Sequence, residues 1–173
     1  MITFTVTTIT LVSNIIFVFG LVLLFISKEF RFWVYKFVNS YIIILLFIFS
    51  LSATLGSLAF SNIIGFEPCE LCWIQRIFLF PQVVLTSVAL YMKDKNIIYY
   101  ILPLSILGAI VSFYQSLIHW GFNTSVFGCT STGGSCAKVY VLEYGYITIP
   151  FMALSVFIYL SVLSIIHYKS QKI

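Results

Sequence analysis

Charge is what this sequence has least of. Only 8% of its 173 residues are Asp, Glu, Lys or Arg, where an ordinary soluble domain carries roughly 25%. So few charges cannot coat a water-facing surface, which excludes a soluble globule. A basic face is also missing. The nine Lys and Arg give a net charge of +4, but they are scattered at the ends of apolar runs, which argues against a nucleic-acid surface. There is no internal repeat and no low-complexity tract. What the chain does have is apolar mass: 61% hydrophobic residues, 18% aromatic residues and a mean hydropathy of +1.11. That content excludes a disordered chain and points to a polytopic membrane protein lying almost wholly in lipid.

A membrane span needs about 20 mostly apolar residues. Five runs meet this: 4–26, 41–60, 72–92, 97–120 and 147–166. The expected fold is all-α, one helical domain, with polar breaks at 28–36, 61–71, 93–96 and 121–146. The first run is the weakest, because Thr3, Thr5, Thr7, Thr8, Thr10, Ser13 and Asn14 occupy its start. It lacks the basic stretch and small-residue cleavage pattern of a secretory signal, and is therefore read as a retained extra span. Basic residues set the orientation. Lys28, Arg31, Lys36, Lys93, Lys95, Lys169 and Lys172 fall on one side, and Lys138 alone on the other. The first side is expected to be cytoplasmic. The N-terminus and the breaks 61–71 and 121–146, with Glu67, Glu70 and Glu143, are expected outside.

All four cysteines, Cys69, Cys72, Cys129 and Cys136, then lie on the outer side, where disulfides are chemically permitted. The first pair is a Cys-x-x-Cys opening the third run. A helix start presents unpaired N–H groups and a positive dipole end, which favour a thiolate. Residues at i and i+3 share a face. Arg76 follows Cys72 by one turn. A guanidinium in a span costs at least about 2.5–3.5 kcal/mol, so a task is expected: holding a thiolate, or holding the anion of a reduced quinone. Snorkelling to the headgroups is the plainer alternative. Gln75 reads equally as a helix–helix hydrogen bond or as a ligand contact.

The second pair encloses Thr-Ser-Thr-Gly-Gly-Ser. Closing so small a loop stabilises by only roughly 2–3 kcal/mol, which makes this bridge a better relay than a staple. Inert structural bridges are disfavoured, since a Cys-x-x-Cys bridge closes almost no chain. A four-thiolate zinc site is disfavoured by the wide second spacing, so no metal is expected.

The segment Pro68-Cys69-Glu70-Leu71-Cys72-Trp73-Ile74-Gln75-Arg76-Ile77 resembles the signature of the disulfide bond formation protein B (DsbB) family, in particular its shorter, BdbC-like branch. Tyr100-Ile101-Leu102-Pro103-Leu104-Ser105-Ile106-Leu107-Gly108 and Gly145-Tyr146-Ile147-Thr148-Ile149-Pro150-Phe151 are similar to that branch as well. The resemblance spans about residues 38–170. It implies a four-helix transmembrane bundle over residues 37–173, with residues 1–36 as an additional N-terminal span and cytoplasmic loop. It further implies a multi-pass protein of the bacterial cytoplasmic membrane that reoxidises a thioredoxin-fold dithiol oxidase of DsbA or BdbD type and passes the electrons to ubiquinone or menaquinone.

By the resemblance, Cys69–Cys72 is the quinone-coupled pair and Cys129–Cys136 the partner-facing pair. The partner's thiolate would attack at Cys129, and Cys136 would attack Cys69. Arg76 would stand at the quinone, with Gln75 and His119 as further contacts; His119 also reads as an ordinary interfacial residue. The first span has no counterpart in the usual four-span form. Three rival readings compete with this one. A vitamin K epoxide reductase-like enzyme has its loop pair before the Cys-x-x-Cys, the reverse of the order here. A non-enzymatic membrane subunit would hold inert disulfides. An outward thiol reductase would need cytoplasmic cysteines.

Overall fold

The computed structural model describes residues 2–121 and 138–171. Five long helices account for nearly all of them: α1 Ile2–Ile26, α2 Lys28–Leu58, α3 Glu70–Met92, α4 Ile98–His119 and α5 Ile149–Ser170. All five are long and apolar enough to cross a membrane. A 22-residue helix spans about 33 Å at 1.5 Å per residue, which matches a hydrocarbon core of about 30 Å. Among the described residues there is no strand; one antiparallel bridge pairs Glu143 with Ile147. The protein is an all-helical, multi-pass membrane protein, as its hydropathy requires.

Local chemistry sets the helix ends. Ser27 caps α2 by accepting from the Phe30 amide at 3.3 Å. Thr148 caps α5 by accepting from the Phe151 amide at 3.4 Å, with Pro150 in the first turn. Such caps satisfy amides that have no intrahelical partner. α2 passes into a π-helical turn, Ala59–Ile63, and the chain reverses at Gly65, whose φ of +82° suits a residue without Cβ.

Two expected boundaries move. The break at 28–36 is the first part of α2: it holds neither Gly nor Pro, and Ser27 alone separates α2 from α1. Its Phe30, Trp33 and Phe37 rings stack along one side, with Trp33 and Phe37 centroids 5.5 Å apart. At about 46 Å, α2 exceeds the hydrocarbon core, so this basic, aromatic stretch suits the interface. The break at 61–71 is shorter than expected, because α3 starts at Glu70 with Cys69 as its cap. Both Pro81 and Pro103 lie inside continuous helices, which bundles tolerate.

α2, α3, α4 and α5 form a closed ring, each packed on the next and α5 returning to α2, while α1 lies outside against α2 and α5. At the end away from the cysteines the ring is filled by Val38, Ile42, Leu46, Ala89, Ile101 and Leu160. Gly108 lets α4 approach α5: a Cβ there would meet the buried Phe157 ring at 2.4 Å. Interhelical polar pairs tie the middle, with Ser50 and Thr86 3.4 Å apart and Ser105 donating to Gln82 Oε1 at 3.2 Å. Lys95 Nζ donates to the Asn39 carbonyl at 2.6 Å at the far end.

Candidate active site

The Pro68-Cys69 step delivers the chain to α3 in an extended conformation. Cys69 takes the cap position (φ −75°, ψ 173°), and its carbonyl accepts the Trp73 amide at 3.1 Å. Cys72 then sits in the first turn, on the same face. The two sulfurs are 3.0 Å apart and both cysteines are free. Cys69 is buried and Cys72 half-buried, and both line the cavity described below. The hydrogen bond with Cys72, and then burial, push the Cys69 thiol well above its usual range.

Across from this pair stands a residue that sequence reading missed. Gln115 of α4 is 1% exposed. Its Nε2 donates to Cys69 Sγ at 3.1 Å and to Cys72 Sγ at 3.3 Å, and its Oε1 accepts from Gln75 Nε2 at 2.7 Å. Gln75 therefore fixes the amide orientation of Gln115, and Gln115 presents its N–H groups to the sulfurs. Gln75 is a helix–helix hydrogen bond and a cavity residue at once. No sequence spacing betrays the pair, since Gln115 lies 46 residues from Cys69. A polar residue inside an otherwise apolar span was the available signal.

Arg76 is buried, at 9% exposure. Its Nε donates to Ser57 Oγ at 3.0 Å, and one terminal nitrogen donates to the Ser57 carbonyl at 3.0 Å and to Ser61 Oγ at 2.9 Å. Trp73 lies over its guanidinium at 5.2 Å. The cation is thus anchored to α2 and the π-helical turn, while the sulfurs take their hydrogen bonds from Gln115. Ser57 and Ser61 were not anticipated as site residues.

A cavity of about 390 Å³ opens beside this cluster, within the usual range of roughly 300–1,000 Å³ for small-molecule sites. Cys69, Cys72, Gln75, Arg76, Gln115 and His119 line its polar end, and Leu79, Met152, Val156 and Phe157 are among its apolar lining. His119 stands at the cavity wall. Among the described residues no group of three or more His, Cys, Asp or Glu could hold a metal ion. Cys129 and Cys136, the expected relay pair, lie outside the described residues.

The family model "Disulfide bond formation protein DsbB" matches residues 39–167. The "Probable disulfide formation protein C 1" of Bacillus anthracis is 42% identical over 127 residues, covering 70% of this chain and 88% of the relative. The "Disulfide bond formation protein C" of Bacillus subtilis (strain 168) is 43% identical over 111 residues, covering 63% and 79%. No solved structure matches. α1 and the start of α2 precede the matched region. With a helix-start dithiol, a buried arginine and a membrane cavity joined in one bundle, the chain belongs to the disulfide bond formation protein DsbB family.

Proposed function

We propose that this chain oxidises an extracytoplasmic dithiol protein of thioredoxin fold and delivers the electrons to a membrane quinone, ubiquinone or menaquinone. The observation that carries the reading is the placement of the Cys69 and Cys72 sulfurs at the polar end of a largely apolar cavity. A quinone fits that lining: its ring and chain are apolar, and its oxygens call for donors such as Arg76, Gln75 and His119. When bound, it would supply the terminal oxidant, taking up two electrons and two protons.

The chain's own residues do the rest. Cys129–Cys136 meets the partner: a partner thiolate attacks Cys129, Cys136 leaves as a thiolate, and the partner's second thiol then displaces Cys129, completing the partner's disulfide. The loop pair, now two thiols, reduces the Cys69–Cys72 bridge by the same exchange, starting with attack of Cys136 on Cys69, and regains its own bridge. Each transfer is thiolate attack on a sulfur with a thiolate leaving. Gln115 donates to the sulfurs and so stabilises charge that appears at Cys72. Arg76 uses three of its five N–H donors on α2 and the π-helical turn, which holds a fixed positive charge at the cavity wall.

The cysteine end is assigned to the outside of the cytoplasmic membrane, because Lys28, Arg31, Lys36, Lys93, Lys95 and Lys169 lie at the opposite end. Residues 37–173 are assigned as the oxidase bundle and residues 1–36 as an addition to it. The test is reconstitution in lipid nanodiscs with quinone, followed by a reduced thioredoxin-fold protein. Partner disulfide should form with matching loss of quinone absorbance. A partner that stays reduced would refute the reading.

A further inference from the structure

α1 is absent from the matched family region, yet it is not a bystander in the bundle. Val6, Ile9, Thr10 and Ser13 line the cavity that holds the cysteines. A second, more open groove of about 470 Å³ runs along α1, lined by Val12, Ile16, Phe17 and others. The cavity and the groove share Ile9, Ser13, Phe49 and Tyr159, so they adjoin beneath α1. The lining is open at Gly56, where a Cβ would meet nothing within 4 Å.

The helix is held there by specific contacts. Thr7, fully buried, donates to Glu143, and Thr8 Oγ1 lies 3.0 Å from the Tyr144 hydroxyl. Deeper in the bundle the buried Tyr159 of α5 donates to Asn14, and its ring packs on Phe17 at 4.4 Å and on Phe49 at 5.6 Å. Between helices in lipid there is no hydrophobic driving force, so hydrogen bonds and packing of this kind decide where a helix docks. Thr3, Thr7, Thr10 and Asn14 recur at helical spacing and form one stripe.

We propose that α1 is a wall of the ligand site: it roofs the groove beside α2 and α5, so that a membrane quinone touches Val6, Thr10 and Ser13 near the cysteines and runs its isoprenoid chain out past Ile9, Val12 and Ile16. This rests on the quinone reading above. An apolar chain suits the groove's lining, and Thr10 and Ser13 bring hydroxyl side chains to the cavity wall.

The test uses the full chain in nanodiscs and an isoprenoid benzoquinone carrying a photoreactive group on its chain. Illumination should label residues 6–16, and excess unlabelled quinone should suppress the adducts. Equilibrium binding of the unmodified quinone gives a second readout. Asn14→Leu and Tyr159→Phe should each weaken binding about threefold, the scale of one interhelical hydrogen bond, and the double variant no further. Thr10→Trp, which fills the cavity from the α1 side, should weaken it more. If the wild-type chain binds no quinone, the quinone reading and this proposal fall together. If it binds quinone, but adducts are confined to α2–α5 and all four variants bind like wild type, the role of α1 is refuted while the quinone reading stands.

Discussion

The two ends of the bundle are built on opposite principles. Away from the cysteines, Val38, Ile42, Leu46, Ile101 and Leu160 are at most 3% exposed and pack into one another. At the cysteine end, the space between helices is left open and lined with Gln75, Arg76, Gln115, Ser57 and two sulfurs. Close packing at one end holds the helices in register. That register is what lets Gln115 of α4 meet Cys69 and Cys72 of α3, and Arg76 of α3 meet Ser57 of α2. The polar end can remain underfilled because the apolar end does not depend on it.

Substitutions at the two ends should therefore fail in different ways. The largest effect is expected from Cys72→Ser, which should reduce quinone-linked oxidation to background while the loop cysteines still form a mixed disulfide with the partner, visible on a non-reducing gel. Arg76→Ala should come next, lowering quinone reduction by about 100-fold, the scale of losing one preorganised charge-stabilising donor; steady-state kinetics against quinone concentration would show it. If that dependence is unchanged, the role given to Arg76 is wrong.

Gln115→Leu removes the donor shared by both sulfurs. Alkylation of Cys72 at neutral pH should slow by about tenfold, as for a hydrogen bond to a charged group, with Gln115→Asn retaining part of the rate if polarity rather than reach is limiting. The smallest effect on turnover is expected at the packed end. Ile42→Ala should leave quinone kinetics unchanged and lower bundle stability by about 2–5 kcal/mol, the range for truncating a core aliphatic residue, as measured by unfolding in mixed micelles. A loss of turnover in Ile42→Ala at temperatures where the bundle remains folded would show that the two ends are not independent.

Much of this was legible in the chain itself. Five hydrophobic runs announce five helices because lipid demands long apolar stretches. Cys69, Cys72, Gln75 and Arg76 announce a polar helix start, and the structure gathers all four on one cavity. Gln115, Ser57 and Ser61 were not legible, since their value comes from contact across helices, and no local pattern encodes which faces meet. The polar stripe of α1 was visible but read as weakness. Thr7, Thr8 and Asn14 lower the hydropathy of a span while supplying the hooks that dock it. The helical break expected at 28–36 failed for a related reason: lysines and an arginine suggested a loop, but the aromatic residues between them and the Ser27 cap favour an interfacial helix.

The central claim is that the Cys69–Cys72 dithiol faces the quinone cavity directly. The measurement is addition of quinone to the reduced protein with Cys129 and Cys136 both replaced by serine, reading thiol loss by mass spectrometry and quinone by absorbance. The account predicts a Cys69–Cys72 bridge formed with one quinone reduced per bridge. Two thiols that stay free in the presence of excess quinone would contradict it.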